Sequence, residues 1–117
     1  MTAALEHAVE ADEIVAGLRK YMTQKDIALG ARVSDRTVRD WANSSTVVVR
    51  DGNYEKLAEV RQVVLVLRDS LTPRGVRQWM SAKNRLLEDR RPIDVLHAGD
   101  APAVLRAAAA FVDGVYV

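Results

Sequence analysis

Cysteine is absent from these 117 residues. Its absence excludes a disulfide scaffold, a thiol nucleophile and a thiolate metal site together, and it fits a reducing compartment. Proline occurs only three times, at Pro73, Pro92 and Pro102, and each follows or adjoins a residue suited to opening a helix. Long apolar runs are missing, and the N-terminus has no basic segment followed by an apolar one. Neither a membrane span nor a secretory leader is expected, and the reading is cytoplasmic. The motifs HExxH, GxSxG, GxGxxG and the phosphate-binding loop do not occur. The two histidines, His7 and His97, stand far apart, and the adjacent acidic pairs Asp12-Glu13 and Glu88-Asp89 point their side chains away from each other. No catalytic residue, cofactor or metal site is expected. The composition describes a binding protein rather than an enzyme.

What is present is apolar helix-forming sequence, with 49% of residues hydrophobic, enough for one compact domain or two small lobes. The net charge of +1 is unevenly spread. Residues 1–18 hold four acids and no base, whereas residues 19–50 hold seven bases and three acids. The basic block coincides with a helix-turn-helix pattern. Thr23 suits an N-cap, with Asp26 three residues on. A helix is expected over 24–31 with Ile27 and Ala28 inward, then a turn through Arg32-Val33. Ser34 caps a second helix over 35–43 with Val38 and Trp41 inward. Arg32 stands where such turns usually carry glycine, so the turn must tolerate a side chain or take another geometry. Arg36, Thr37 and Arg39 line the outer face of the second helix and are the candidate DNA contacts, opposed by Asp35 and Asp40, which repel phosphate. A helix-turn-helix used only for packing or dimerisation remains open on the residues alone.

Ahead of this unit, Ile14, Val15, Leu18, Tyr21 and Met22 recur at helical spacing from Ala11. After it, residues 44–53 read as a connector, with turn chemistry at Asp51-Gly52-Asn53. The longest helix is expected from Tyr54 to Leu71, with Leu57, Val60, Val64, Leu67 and Leu71 along one stripe and Val63 and Val66 widening it. Such breadth predicts a helix sandwiched on two sides. Thr72-Pro73 then opens a helix with Val76, Trp79 and Met80 inward and Asn84 as its stop, and Leu86 and Leu87 pack back. Residues 88–91 form a charged turn, Pro92 opens a short helix through Leu96, and His97 meets the carbonyls at that helix's own end. A final alanine-rich helix from Ala101 faces inward through Val104 or Leu105, Ala108, Phe111 and Val112. The expected fold is all-α, with an N-terminal helix-turn-helix lobe at 11–50 and a C-terminal helical lobe at 54–117.

The last third carries a further pattern. Trp79, Asn84-Arg85-Leu86-Leu87, Arg91-Pro92, Asp94-Val95-Leu96 and Asp113-Gly114-Val115 resemble, in order and spacing, the toxin-binding domain of the Xre/MbcA/ParS-like antitoxins, and more closely the MbcA-like members that carry a helix-turn-helix in front. The resemblance implies an antitoxin of a type II toxin–antitoxin pair whose partner is a RES-domain toxin that destroys NAD. It implies that the C-terminal lobe covers the toxin's active-site cleft and that the chain end obstructs it. It also implies operator binding with autorepression through the helix-turn-helix, and a homodimer within a larger complex. Carried over, the toxin-binding residues are Asn84, Arg85, Leu87, Arg91, Asp113, Gly114, Val115, Tyr116 and Val117. An internal role for Asn84 and Arg91, capping and bracing the turn before Pro92, is compatible with that reading. Two other classes compete: a stand-alone transcriptional regulator whose C-terminal lobe dimerises, and an adaptor that places another enzyme on DNA.

The apolar end Val115-Tyr116-Val117 is expected to dock, on this protein or on a partner; a toxin partner is what the resemblance implies, and a sister subunit is what the regulator class predicts. Burying Tyr116 withdraws roughly 150–250 Å² from water, or about 4–6 kcal/mol gross, with about 1.5 kcal/mol more for each valine. Ordering four residues costs about 1–2 kcal/mol apiece. The two nearly cancel, so the tail acts as a plug while the folded lobe supplies the affinity.

Overall fold

The computed structural model describes residues 11–43 and 51–114; the connector valines Val47–Val49 and the tail Val115–Val117 lie outside them. The fold is all-α. A helix over residues 11–18 (α1) is followed by α2 (Gln24–Ala31), α3 (Asp35–Asn43) and α4 (Asp51–Leu67). Then come α5 (Pro73–Ser81), a 3₁₀ turn (Arg85–Leu87), α6 (Pro92–His97) and α7 (Ala101–Val112).

Most of these helices begin where a short polar side chain can take over an orphan backbone N–H. Thr23 Oγ1 accepts from Asp26 N at 3.1 Å, and Ser34 Oγ accepts from Thr37 N at 3.0 Å. Thr72 Oγ1 accepts from Gly75 N at 3.0 Å, and Asp100 Oδ1 from Ala103 N at 3.2 Å. Each of the three prolines sits in the first turn of its helix, α5, α6 or α7, where its missing N–H costs nothing.

The buried side chains form a single cluster drawn from α1 through α7. Ile14, Val15, Leu18 and Met22 contribute from the first segment, Ile27, Val38 and Trp41 from the helix-turn-helix, and Leu57, Val60, Val63, Val64 and Leu67 from α4. The central helix is sandwiched as its breadth implied, packing on α2 and, more extensively, on α7. Ala101, Ala107 and Ala108 are buried with Val104, and their small size permits that close approach. Gly30 plays the same part on α2. A Cβ there would meet Val60 Cγ2 at 3.1 Å and Ile93 Cδ1 at 3.3 Å, so the absence of a side chain lets α2 lie against α4 and α6 at once.

Several expectations are corrected. The first helix ends at residue 18, and a turn carries the chain to Met22, whose N–H reaches Leu18 O at 2.8 Å. The central helix begins at Asp51 rather than Tyr54: residues with turn chemistry are also common where helices start. The same helix stops at Leu67, four residues short of Leu71. There Ser70 N and Leu71 N both turn back to Leu67 O at 3.0 Å. In α7, Phe111 is only partly buried and Val112 is exposed, while Ala107 takes an inner position.

Candidate binding surfaces

The first surface is built around Asn84, the only buried polar or charged residue among those described, at 6% exposure. It does not stop α5, which ends at Ser81. Instead it organises the loop that follows. Its Oδ1 accepts from Leu86 N at 2.9 Å, its carbonyl accepts from Leu87 N at 3.0 Å and Asp89 N at 2.9 Å, and its N–H donates to Arg90 O at 3.1 Å. Arg90 closes the ring, its Nε donating to Leu87 O at 3.1 Å. Glu88 (φ 58°) and Asp89 (φ 62°) pass through the left-handed region to make this closure.

The consequence is a densely hydrogen-bonded platform with a defined inside and outside. Leu87 is buried at 2% and pins the loop to the core, whereas Leu86 is 51% exposed. The expectation that both leucines pack back fails because consecutive residues of a 3₁₀ turn cannot share one face. Arg85 and Arg91 are exposed on the same loop. Arg91 precedes Pro92 and grips Asp94 with both ends of its guanidinium, Nε to Oδ2 at 2.8 Å and Nη2 to Oδ1 at 2.9 Å. This two-pronged bond holds the Asp94 carboxyl below its ordinary value and raises Arg91 above its own. Of the nine residues assigned to a toxin surface, the loop thus gathers Asn84, Arg85, Leu87 and Arg91, with Asn84 and Leu87 in internal roles. Asp113 and Gly114 are exposed at the end of α7, where Gly114 turns left-handed (φ 72°). The remaining three lie outside the described residues. Leu86, not singled out by its spacing, is the outward apolar group of the loop.

The second surface is the outer face of α3. Arg36 and Arg39 are exposed, and Thr37 is half-buried with its hydroxyl 2.8 Å from Ser34 Oγ. Asp35 is engaged within the protein: Gln24 Nε2 donates to its carboxylate at 3.3 Å, and Arg39 Nη2 lies 3.8 Å away. That exposed pair contributes little to stability, but it tempers the negative charge opposed to phosphate at the start of the helix. Of the two geometries left open for the turn that aims α3, it takes the one that tolerates a side chain: Arg32 sits in the left-handed region at φ 57°.

Fold and surfaces together define an all-α protein with two helices joined by a tight turn, α2 and α3, and a braced loop in its C-terminal half. The probable mycobacterial cidal antitoxin Rv3188 of Mycobacterium tuberculosis is 48% identical over 118 residues and both chains are covered in full, and this chain belongs to the mycobacterial cidal antitoxin family. The mycobacterial cidal antitoxin MbcA of M. bovis and of M. tuberculosis is 31% identical over 96 residues, spanning 82% of this chain and 84% of MbcA. Among solved structures, a chain of the M. tuberculosis MbcT–MbcA toxin–antitoxin complex superposes with a TM-score of 0.77 at 30% identity, covering 91% of this chain and 96% of that one. No family model matches the sequence. The role these relatives support is that of an antitoxin.

Proposed function

We propose that this antitoxin silences a RES-domain, NAD-degrading toxin by laying its C-terminal lobe, residues 54–117, over the toxin's catalytic cleft. The 84–91 loop supplies the folded contact, with Arg85, Leu86 and Arg91 outward and Asn84 and Leu87 holding them in place. The segment Asp113 to Val117 enters the cleft and blocks it. The helix-turn-helix lobe, residues 11–50, binds operator DNA through Arg36, Thr37 and Arg39 as part of a homodimer and represses its own operon. In this role the chain performs no reaction and needs no cofactor.

The observation that carries the reading is the likeness to the antitoxin chain family of the MbcT–MbcA complex, joined to a preorganised loop that leaves a leucine and two arginines exposed. Preorganisation matters because a loop that is already ordered loses little entropy on binding. The test is removal of Gly114–Val117, measured both by co-purification with the toxin and by NAD consumption. Complex formation is expected to persist while inhibition is lost. Weakened binding in which the remaining complex stays fully inhibited would overturn the division of labour.

A further inference from the structure

Two hydrogen bonds join the C-terminal end of α2 to the last turn of α6. Arg32 Nη1 donates to Leu96 O at 3.2 Å. His97 Nδ1 lies 2.9 Å from Leu29 O, and because a carbonyl only accepts, Nδ1 carries the proton. The paired residues are 64 and 68 positions apart. Arg32 also reaches α4, its Nη2 standing 3.4 Å from Glu59 Oε1, and its guanidinium lies against Gly99, where a Cβ would sit 3.4 Å from Nη1. His97 was expected to meet the carbonyls of its own helix; it crosses to the neighbouring one instead.

The placement has a mechanical meaning. Arg32 is the left-handed residue that sets the direction of α3. A glycine would adopt that backbone without steric cost, so the turn itself does not require arginine. What the arginine adds is a hold on the far end of α6. The near end of α6 is Arg91, on the loop that faces the toxin, and the six-residue helix between them spans about 9 Å. Pro92, Ile93, Val95 and Leu96 bury its inner side, so one packed element links its two ends.

We infer that Arg32, seconded by His97, is a positioning residue that couples the two functional surfaces: what binds at the 84–91 loop is registered at α3. The inference rests on the proposed toxin-binding role of that loop. It is tested by hydrogen–deuterium exchange on the full chain, alone and in complex with its toxin. The variants are Arg32→Gly, which retains the left-handed turn, and Arg32→Lys, which retains only the charge. In the wild type, toxin binding is expected to slow exchange at residues 85–97 and, by roughly fivefold or more, at residues 35–43. In Arg32→Gly the protection at 85–97 persists while that at 35–43 falls away, and Arg32→Lys does not restore it in full. Retained protection of 35–43 in Arg32→Gly overturns the inference, as does a wild type protected at 85–97 alone. Absence of protection at 85–97 in the wild type would instead overturn the toxin-binding reading.

Discussion

Two turns in this molecule adopt the same rare backbone conformation without glycine, and they use their side chains differently. Arg32 links α2 to α3, and Glu88-Asp89 follow the 3₁₀ turn; all three have φ near +60°, a conformation that costs an L-residue about 1–2 kcal/mol. At Arg32 the strain is offset by backbone bonds, Arg32 N to Leu29 O at 3.3 Å and Val33 N to Ala28 O at 3.1 Å, and also by the side chain, which reaches Leu96 and Glu59 in distant segments. At Glu88-Asp89 it is offset through the backbone, whose N–H groups return to Arg85 and Asn84, and both side chains stay exposed. A turn whose side chain is engaged elsewhere acts as a joint between elements. A turn held by its backbone alone leaves its surface available for display.

The contrast can be broken most forcefully at Asn84. Replacing it by alanine strips the Leu86 N–H of its cap and empties the one buried polar position of the loop, at a cost of about 1–3 kcal/mol. Urea denaturation is expected to show a clear fall in midpoint, together with weaker toxin binding. An unchanged midpoint would mean that the loop is not organised around this residue. A smaller effect of opposite sign is expected from Glu88→Gly and Asp89→Gly. Each relieves left-handed strain but releases a more flexible unfolded chain, for a net gain of about 0.5–1 kcal/mol by the same denaturation. Destabilisation by either would show that the exposed side chains contribute to the fold.

The smallest effect concerns Asp94. Its carboxyl is depressed in the folded state by Arg91, so the stabilisation it provides is present above the ordinary carboxylate range and disappears as pH falls through the lowered folded value. Because the pair is exposed, solvent screening keeps this contribution slight. Comparison of wild type with Asp94→Asn should show the two stability curves converging at acid pH and separating slightly toward neutrality. A gap that widens on acidification would reverse the assignment.

Much of this architecture was legible from local signals. Thr23, Ser34, Thr72 and the three prolines mark helix starts without reference to anything distant, and the apolar stripes of α1, α3 and α4 identify their inner faces. The ends of α4 were misread because aspartate, glycine and asparagine serve a turn and a helix start equally well, and because Leu71 continues the stripe after the helix has ended. The candidate loop was legible as a loop, but its internal bonding only in part. The order of residues from Asn84 to Asp94 locates the loop and leaves room for an internal role of Asn84 and Arg91, yet nothing in it says that Leu86 rather than Leu87 faces outward, or that the partner of Arg91 is Asp94. Arg32 and His97 were harder still. Their partners lie more than sixty residues away, and no local pattern reports a bond of that span.

The close seat of Gly30 against Val60, Ile93 and Leu96 bears on the order in which a newly made molecule can mature. While the ribosome is still extending the chain, the flank of α2 that meets α6 stays uncovered until residues 93–96 have emerged. Local helices can form early, but contacts between remote segments must wait for both to exist. The half proposed to read DNA is therefore completed by the half proposed to restrain the toxin, and an interrupted translation product would carry the first without its support.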